Sequence, residues 1–162
     1  MSATEKLVKL SGSHEQKLDD RNRLAIPTKL IPGLKELAGV TGDGPLDVVV
    51  TMTKNFRVGI YPRQDFMRII EKLEQDSKTS DDAEELLTTY LNYMEQETLD
   101  KQNRVKIPQA LSDALDLTGE VIVMGSGKFI EVVNKSTYKE QLKEQAGKMK
   151  QQGKKSKDQT PE

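Results

Sequence analysis

The residues best suited to chemistry in this chain come as two matched sets, Asp19-x-x-x-Arg23 and Asp100-x-x-x-Arg104. A carboxylate followed by backbone N–H groups two to four residues on can accept their hydrogen bonds and fix a tight turn. A guanidinium leaving such a turn carries a planar fork of donors that matches a phosphate, a carboxylate or the O6/N7 edge of guanine. Asn22 and Asn103 stand just before the arginines, and Asn is the non-glycine residue that best tolerates the left-handed backbone such a turn needs. The neighbours Arg21, Asn22, Lys101, Gln102 and Asn103 add further polar groups for phosphates or base edges and are counted with Arg23 and Arg104 as candidate nucleic-acid contacts.

The elements that must hold these groups repeat as well. Leu18-Asp19-Asp20-Arg21-Asn22-Arg23-Leu24-Ala25-Ile26-Pro27 returns as Leu99-Asp100-Lys101-Gln102-Asn103-Arg104-Val105-Lys106-Ile107-Pro108. In each copy the aliphatic residues alternate with Ala25 or Lys106, the period of a half-buried strand. Pro27 and Pro108 then suit the first position of a helix, where no N–H is required. The pattern predicts an arginine projected from a rigid turn, twice.

These residues resemble the paired signature of the MraZ family, bacterial regulators built from two AbrB-like swapped-hairpin units. Gly12, Glu15 and Leu18 ahead of the first copy fit the family pattern, and Met94-Glu95-Gln96-Glu97 echoes that lead-in before the second. The resemblance runs from about Ser11 to Gln145. It implies an α+β fold of two tandem AbrB/MraZ-like swapped-hairpin β-barrel units with short helices, related by a pseudo-twofold internal repeat. It divides the chain into a flexible leader (1–10), a first repeat (11–79), a connecting helix (80–94), a second repeat (95–145) and a disordered basic tail (146–162). It also implies a ring-shaped homo-oligomer on double-stranded DNA. The DNA sites implied are direct repeats in its own promoter, upstream of the division and cell-wall gene cluster. The family usually has Gly where this chain has Asn22 and Asn103.

Composition bounds the alternatives. The chain has 162 residues, 35% hydrophobic and 4% aromatic with no Trp, which is lean for a monomer and suggests apolar faces completed by another copy. It has no Cys, so no disulfide framework or thiolate metal site, which is compatible with the cytoplasm; the family resemblance implies association with the nucleoid there. No apolar run reaches the roughly 18 residues of a membrane span, and the start lacks a secretory pattern. The formal net charge is −1, so any nucleic-acid contact needs a local basic face rather than a basic chain.

The remaining segments read as scaffold. Thr28–Ala38 is expected as two short helical pieces broken at Pro32, followed by a Gly- and Asp-rich loop to Pro45. Strands are expected over Val48–Thr51 and Phe56–Ile60 around a turn at Thr53–Asn55, then a helix opened by Pro62 carrying Phe66, Ile69, Ile70 and Leu73. Ser80 caps a helix with Leu86, Leu87, Tyr90, Leu91 and Met94, a stripe suited to packing or to a ring interface. In the second half, Val121–Met124 and Phe129–Val133 flank a Gly125-Ser126-Gly127 hairpin turn that lacks phosphate-loop spacing. His14 is alone, and no nucleophile, metal-ligand or nucleotide-binding set is found, so neither an enzyme, a cofactor nor a metal is expected.

Three functions compete for the repeated turns: arginines facing DNA, with Asp19 and Asp100 structuring the turns; Asp–Arg pairs that are only staples, in a protein-only assembly; and an enzyme. From the residues alone the first two stand about level. The family resemblance favours DNA contact.

Overall fold

The computed structural model describes residues 8–158. The strands are β1 (Ser13–Lys17), β2 (Arg23–Ala25), β3 (Asp47–Met52), β4 (Val58–Pro62), β5 (Glu95–Thr98), β6 (Arg104–Lys106), β7 (Glu120–Gly125) and β8 (Ile130–Asn134). A 3-10 turn at Thr28–Leu30 leads into α1 (Ile31–Ala38), followed in order by α2 (Arg63–Asp76), α3 (Asp81–Tyr93), α4 (Gln109–Ala114) and α5 (Lys135–Asp158).

The two halves repeat one order of strands, yet they do not stay apart. The large antiparallel sheet runs β1-β7-β8-β4-β3-β5, and β2 pairs with β6 in a ribbon of its own. β1 of the first half thus pairs with β7 of the second, and β5 of the second with β3 of the first. Exchanging each strand for its counterpart in the other half reverses the order and reproduces it. This is a pseudo-twofold arrangement centred on the β4–β8 pair.

Alternation along the strands divides the core in two. Val48, Val50, Val58, Ile60, Val121, Val123, Ile130 and Val132 face the β2–β6 ribbon and the short helices, meeting Leu24, Ile26, Leu34, Val105, Ile107 and Leu111. On the other side Val49 and Tyr61 pack with Phe66, Ile70 and Tyr90 of α2 and α3. Tyr61 also stacks on Phe129 of the second half, with ring centroids 4.7 Å apart. The stripe on α3 therefore packs within the chain, although Leu91 stays exposed.

Several expectations need correction. The described fold begins before Ser11: Leu10 is buried and exchanges hydrogen bonds with Gly127 at 3.1 and 2.9 Å. Lys9 pairs with Glu36 at 2.7 Å, and a Cβ on Gly33 or Gly125 would collide with the backbone of Lys9 or Ser11. Residues 1–7 of the expected leader lie outside the described residues. The tail expected to be disordered from residue 146 continues α5 to Asp158, because Lys, Gln, Glu and Ala favour helix by intrinsic propensity. Its last expected residues, 159–162, lie outside the described residues. Pro32 starts α1 at its first turn rather than breaking it, and the change of helix type falls just before it. Pro27 and Pro108 stand one residue outside their helices, with ψ of 135° and 138°. Phe56 belongs to the β3–β4 turn, at φ 59°, and not to β4.

Candidate nucleic-acid interface

Each Asp-x-x-x-Arg stretch folds into the same braced turn. Asp19 Oδ1 accepts the N–H groups of Arg21 and Arg23 at 3.0 and 2.8 Å, while its Oδ2 accepts Arg23 Nε–H at 2.7 Å. Asp100 does the same for Gln102, Arg104 and Arg104 Nε at 2.9 Å in each case. The backbone closes both turns, with Asn22 N donating to Asp19 O at 3.0 Å and Asn103 N to Asp100 O at 2.9 Å. Asn22 and Asn103 occupy the left-handed region at φ 62° and 58°, as their place in the sequence requires.

The brace shifts the acids. The N–H groups of Arg23 and Arg104, above all, hold the Asp19 and Asp100 carboxyls below the ordinary aspartate value, and the guanidiniums act in the same direction. Both aspartates are therefore ionised throughout the neutral range.

The ribbon unites the two turns. Arg23 stands opposite Lys106, Leu24 opposite Val105 and Ala25 opposite Arg104. Directly opposed residues share a face, and successive residues alternate. Leu24 and Val105 face the core with none of their surface exposed, so Arg23, Ala25, Arg104 and Lys106 share the outer face. The ladder is extended at both ends, with Ile26 N–H donating to Asn103 O and Ile107 N–H to Asn22 O, each at 2.9 Å. Arg21, Lys101 and Gln102 are exposed at the turn tips.

Both arginines are bound to their own aspartates, so the ion pairs of the staple reading are present. The bond uses Nε alone, and among the described residues neither Nη atom of Arg23 or Arg104 hydrogen-bonds within the chain. About 29% of the Arg23 side chain and 31% of that of Arg104 stay exposed. The carboxylate thus orients a guanidinium whose outer edge can still form a two-pronged contact.

Asn22 behaves differently from what its sequence position suggested. Its Nδ2 donates to Ile107 O at 2.7 Å and to Ser112 Oγ at 2.6 Å, joining the first turn to the second half. Ser112 was not legible as part of the site, because its partner is distant in sequence and only the interleaved topology brings them together. A second polar group that sequence reasoning missed lies across the sheet. Buried Glu131 accepts Ser126 Oγ–H at 2.9 Å and stands 3.7 Å from Arg57 Nη1.

Among the described residues no group of three His, Asp or Glu is placed to hold a metal ion, and no helix is long and apolar enough to cross a membrane. Fold and site together define a two-halved α+β protein that presents paired, carboxylate-oriented arginines on one ribbon. Residues 10–89 and 94–159 match the family model described as "MraZ protein, putative antitoxin-like". The chain is 30% identical over 131 residues to the transcriptional regulator MraZ of Clavibacter michiganensis subsp. michiganensis, covering 81% of this chain and 85% of that protein. It is 31% identical over 135 residues to the one from Bifidobacterium longum, with 83% of each chain covered. For that of Acidobacterium capsulatum the identity is 26% over 131 residues, 81% of this chain and 86% of the relative. The chain belongs to the MraZ family.

Proposed function

We propose that the protein is a transcriptional regulator that binds double-stranded DNA through the β2–β6 ribbon. The observation that carries this is the pair of oriented arginines sharing one outward face, in a chain whose relatives are named transcriptional regulators. Arg23 and Arg104 contact guanine edges in the major groove, where a bidentate guanidinium discriminates best. Arg21, Lys101 and Gln102 engage phosphates and neighbouring base edges, and Asp19 and Asp100 set the turns.

One ribbon makes few contacts, so a single copy binds weakly. A ring-shaped homo-oligomer multiplies the ribbons along direct repeats and gains through effective concentration. In this reading each half is a swapped-hairpin unit curling into a barrel. The sites are the repeats in the protein's own promoter, ahead of the division and cell-wall gene cluster, and the protein works in the cytoplasm at the nucleoid. The competing reading, a protein-only scaffold with the Asp–Arg pairs as staples, draws on the Nε bonds to Asp19 and Asp100. Exposed pairs of this kind contribute only about 0–1 kcal/mol, a weak reason to repeat the arrangement.

Footprinting and gel-shift titration on the DNA upstream of the protein's own gene test the proposal. Protection of regularly spaced repeats is the expected result. Affinity no better than for unrelated DNA overturns it in favour of the scaffold.

A further inference from the structure

The two turns match in backbone but differ in what their asparagines do. Both Asn22 and Asn103 sit at positive φ, where Gly would be less strained. At Asn22 the strain is offset inside the protein, since both amide hydrogens are used on Ile107 O and Ser112 Oγ. At Asn103 it is not. The offset that separates Asn22 from Asn103 makes Ile31 the counterpart of Ser112, and its buried hydrocarbon side chain has no acceptor to give. Among the described residues the Asn103 side chain makes no hydrogen bond, and it lines an open groove with Lys35, Leu99, Asp100 and Lys101.

We propose that Asn103 is a specificity-determining residue whose carboxamide reads an adenine edge in the major groove, whereas Asn22 holds the two halves together. This rests on the proposed DNA-binding function and deepens it. Adenine presents N7 as acceptor and N6 as donor, which a carboxamide matches with Nδ2–H and Oδ1. The match needs a free Nδ2, and only Asn103 has one. The two halves of the chain therefore read different sequences despite the repeat.

The test compares wild type, Asn103→Gly, Asn103→Asp and Asn22→Gly on an operator substituted one base pair at a time, with thermal melting alongside. Gly accepts the backbone at either position, and Asp keeps the turn while removing the donor to N7. The expected result is one A·T position at which the wild type discriminates and both Asn103 variants lose about tenfold or more of that discrimination, with Asn103→Gly melting no lower than the wild type. Asn22→Gly keeps the wild-type base preference and melts lower. If either Asn103 variant retains wild-type preference at every position, the inference falls while the DNA-binding function stands. If the wild type has no base preference anywhere, both fall together.

Discussion

Arg23 and Arg104 are diagonal neighbours on the outer face of a ribbon only three residue pairs long, because Arg23 opposes Lys106 and Arg104 opposes Ala25. In an antiparallel pair such positions lie about 7–8 Å apart. Two arginines rooted at neighbouring positions, each fixed by its own carboxylate, are a local basic feature in a chain whose formal net charge is −1. The carboxylates lower the mutual repulsion of the arginines and hold both in one orientation, so little side-chain freedom is left to lose on contact with a ligand.

Replacing either arginine by alanine is therefore expected to cut specific DNA affinity by about tenfold to a hundredfold, the discrimination a bidentate contact supplies. Fold and assembly should persist, since both side chains are part-exposed and neither lies in the core. Gel-shift titration with circular dichroism checks both halves of the statement. Wild-type affinity in both variants would assign the arginines to the staple role.

The depressed Asp19 and Asp100 carboxyls give a pH signature. A group whose acidity is raised by folding stabilises the fold above the unfolded aspartate value, near 3.9, and that contribution fades as pH falls through the lower folded value. The stability difference between wild type and Asp19→Asn or Asp100→Asn should thus be constant from neutral pH into mild acid. It should shrink only below the ordinary aspartate range. Thermal melts of the three proteins across a pH series measure it.

The ribbon also ties the turns to the core. Leu24 and Val105 oppose each other with no exposed surface. Leu24→Ala is expected to destabilise by about 2–5 kcal/mol, the range for a buried leucine that leaves a cavity. Both turns flank this pair, so the variant should also weaken DNA binding at temperatures where it stays folded. Denaturant unfolding and gel shifts on the same sample test the coupling.

The sequence made the turns legible because they are local. Asp19 to Arg23 needs no partner outside its own five residues, and the left-handed asparagines follow from residue type. What it hid was assembly. Nothing in β1 indicates that its partner is β7 rather than β2, and nothing near Asn22 indicates Ser112. The start of α5 near Ser136 was legible, but its continuation past residue 146 was hidden for another reason: Lys- and Gln-rich composition resembles that of disordered segments, while the same residues have high helix propensity.

Glu131 and Arg57 join the β3–β4 turn to the opposite half at the central β4–β8 pair, with Gln141 of α5 accepting from Arg57 Nη2 at 2.7 Å. Arg57 Nε is buried and finds no partner among the described residues, so the guanidinium relies on Glu131 and Gln141. Glu131→Ala removes the one carboxylate in contact with it among the described residues and leaves a largely buried positive charge, a loss expected at about 3 kcal/mol. Replacing Arg57 and Glu131 together by leucine should recover most of that loss, because it removes the uncompensated charge along with its partner. Denaturant unfolding of the single and double variants decides the matter. A double variant as unstable as Glu131→Ala would mean that packing of the Glu131 stem, and not its charge, holds the two halves at this point.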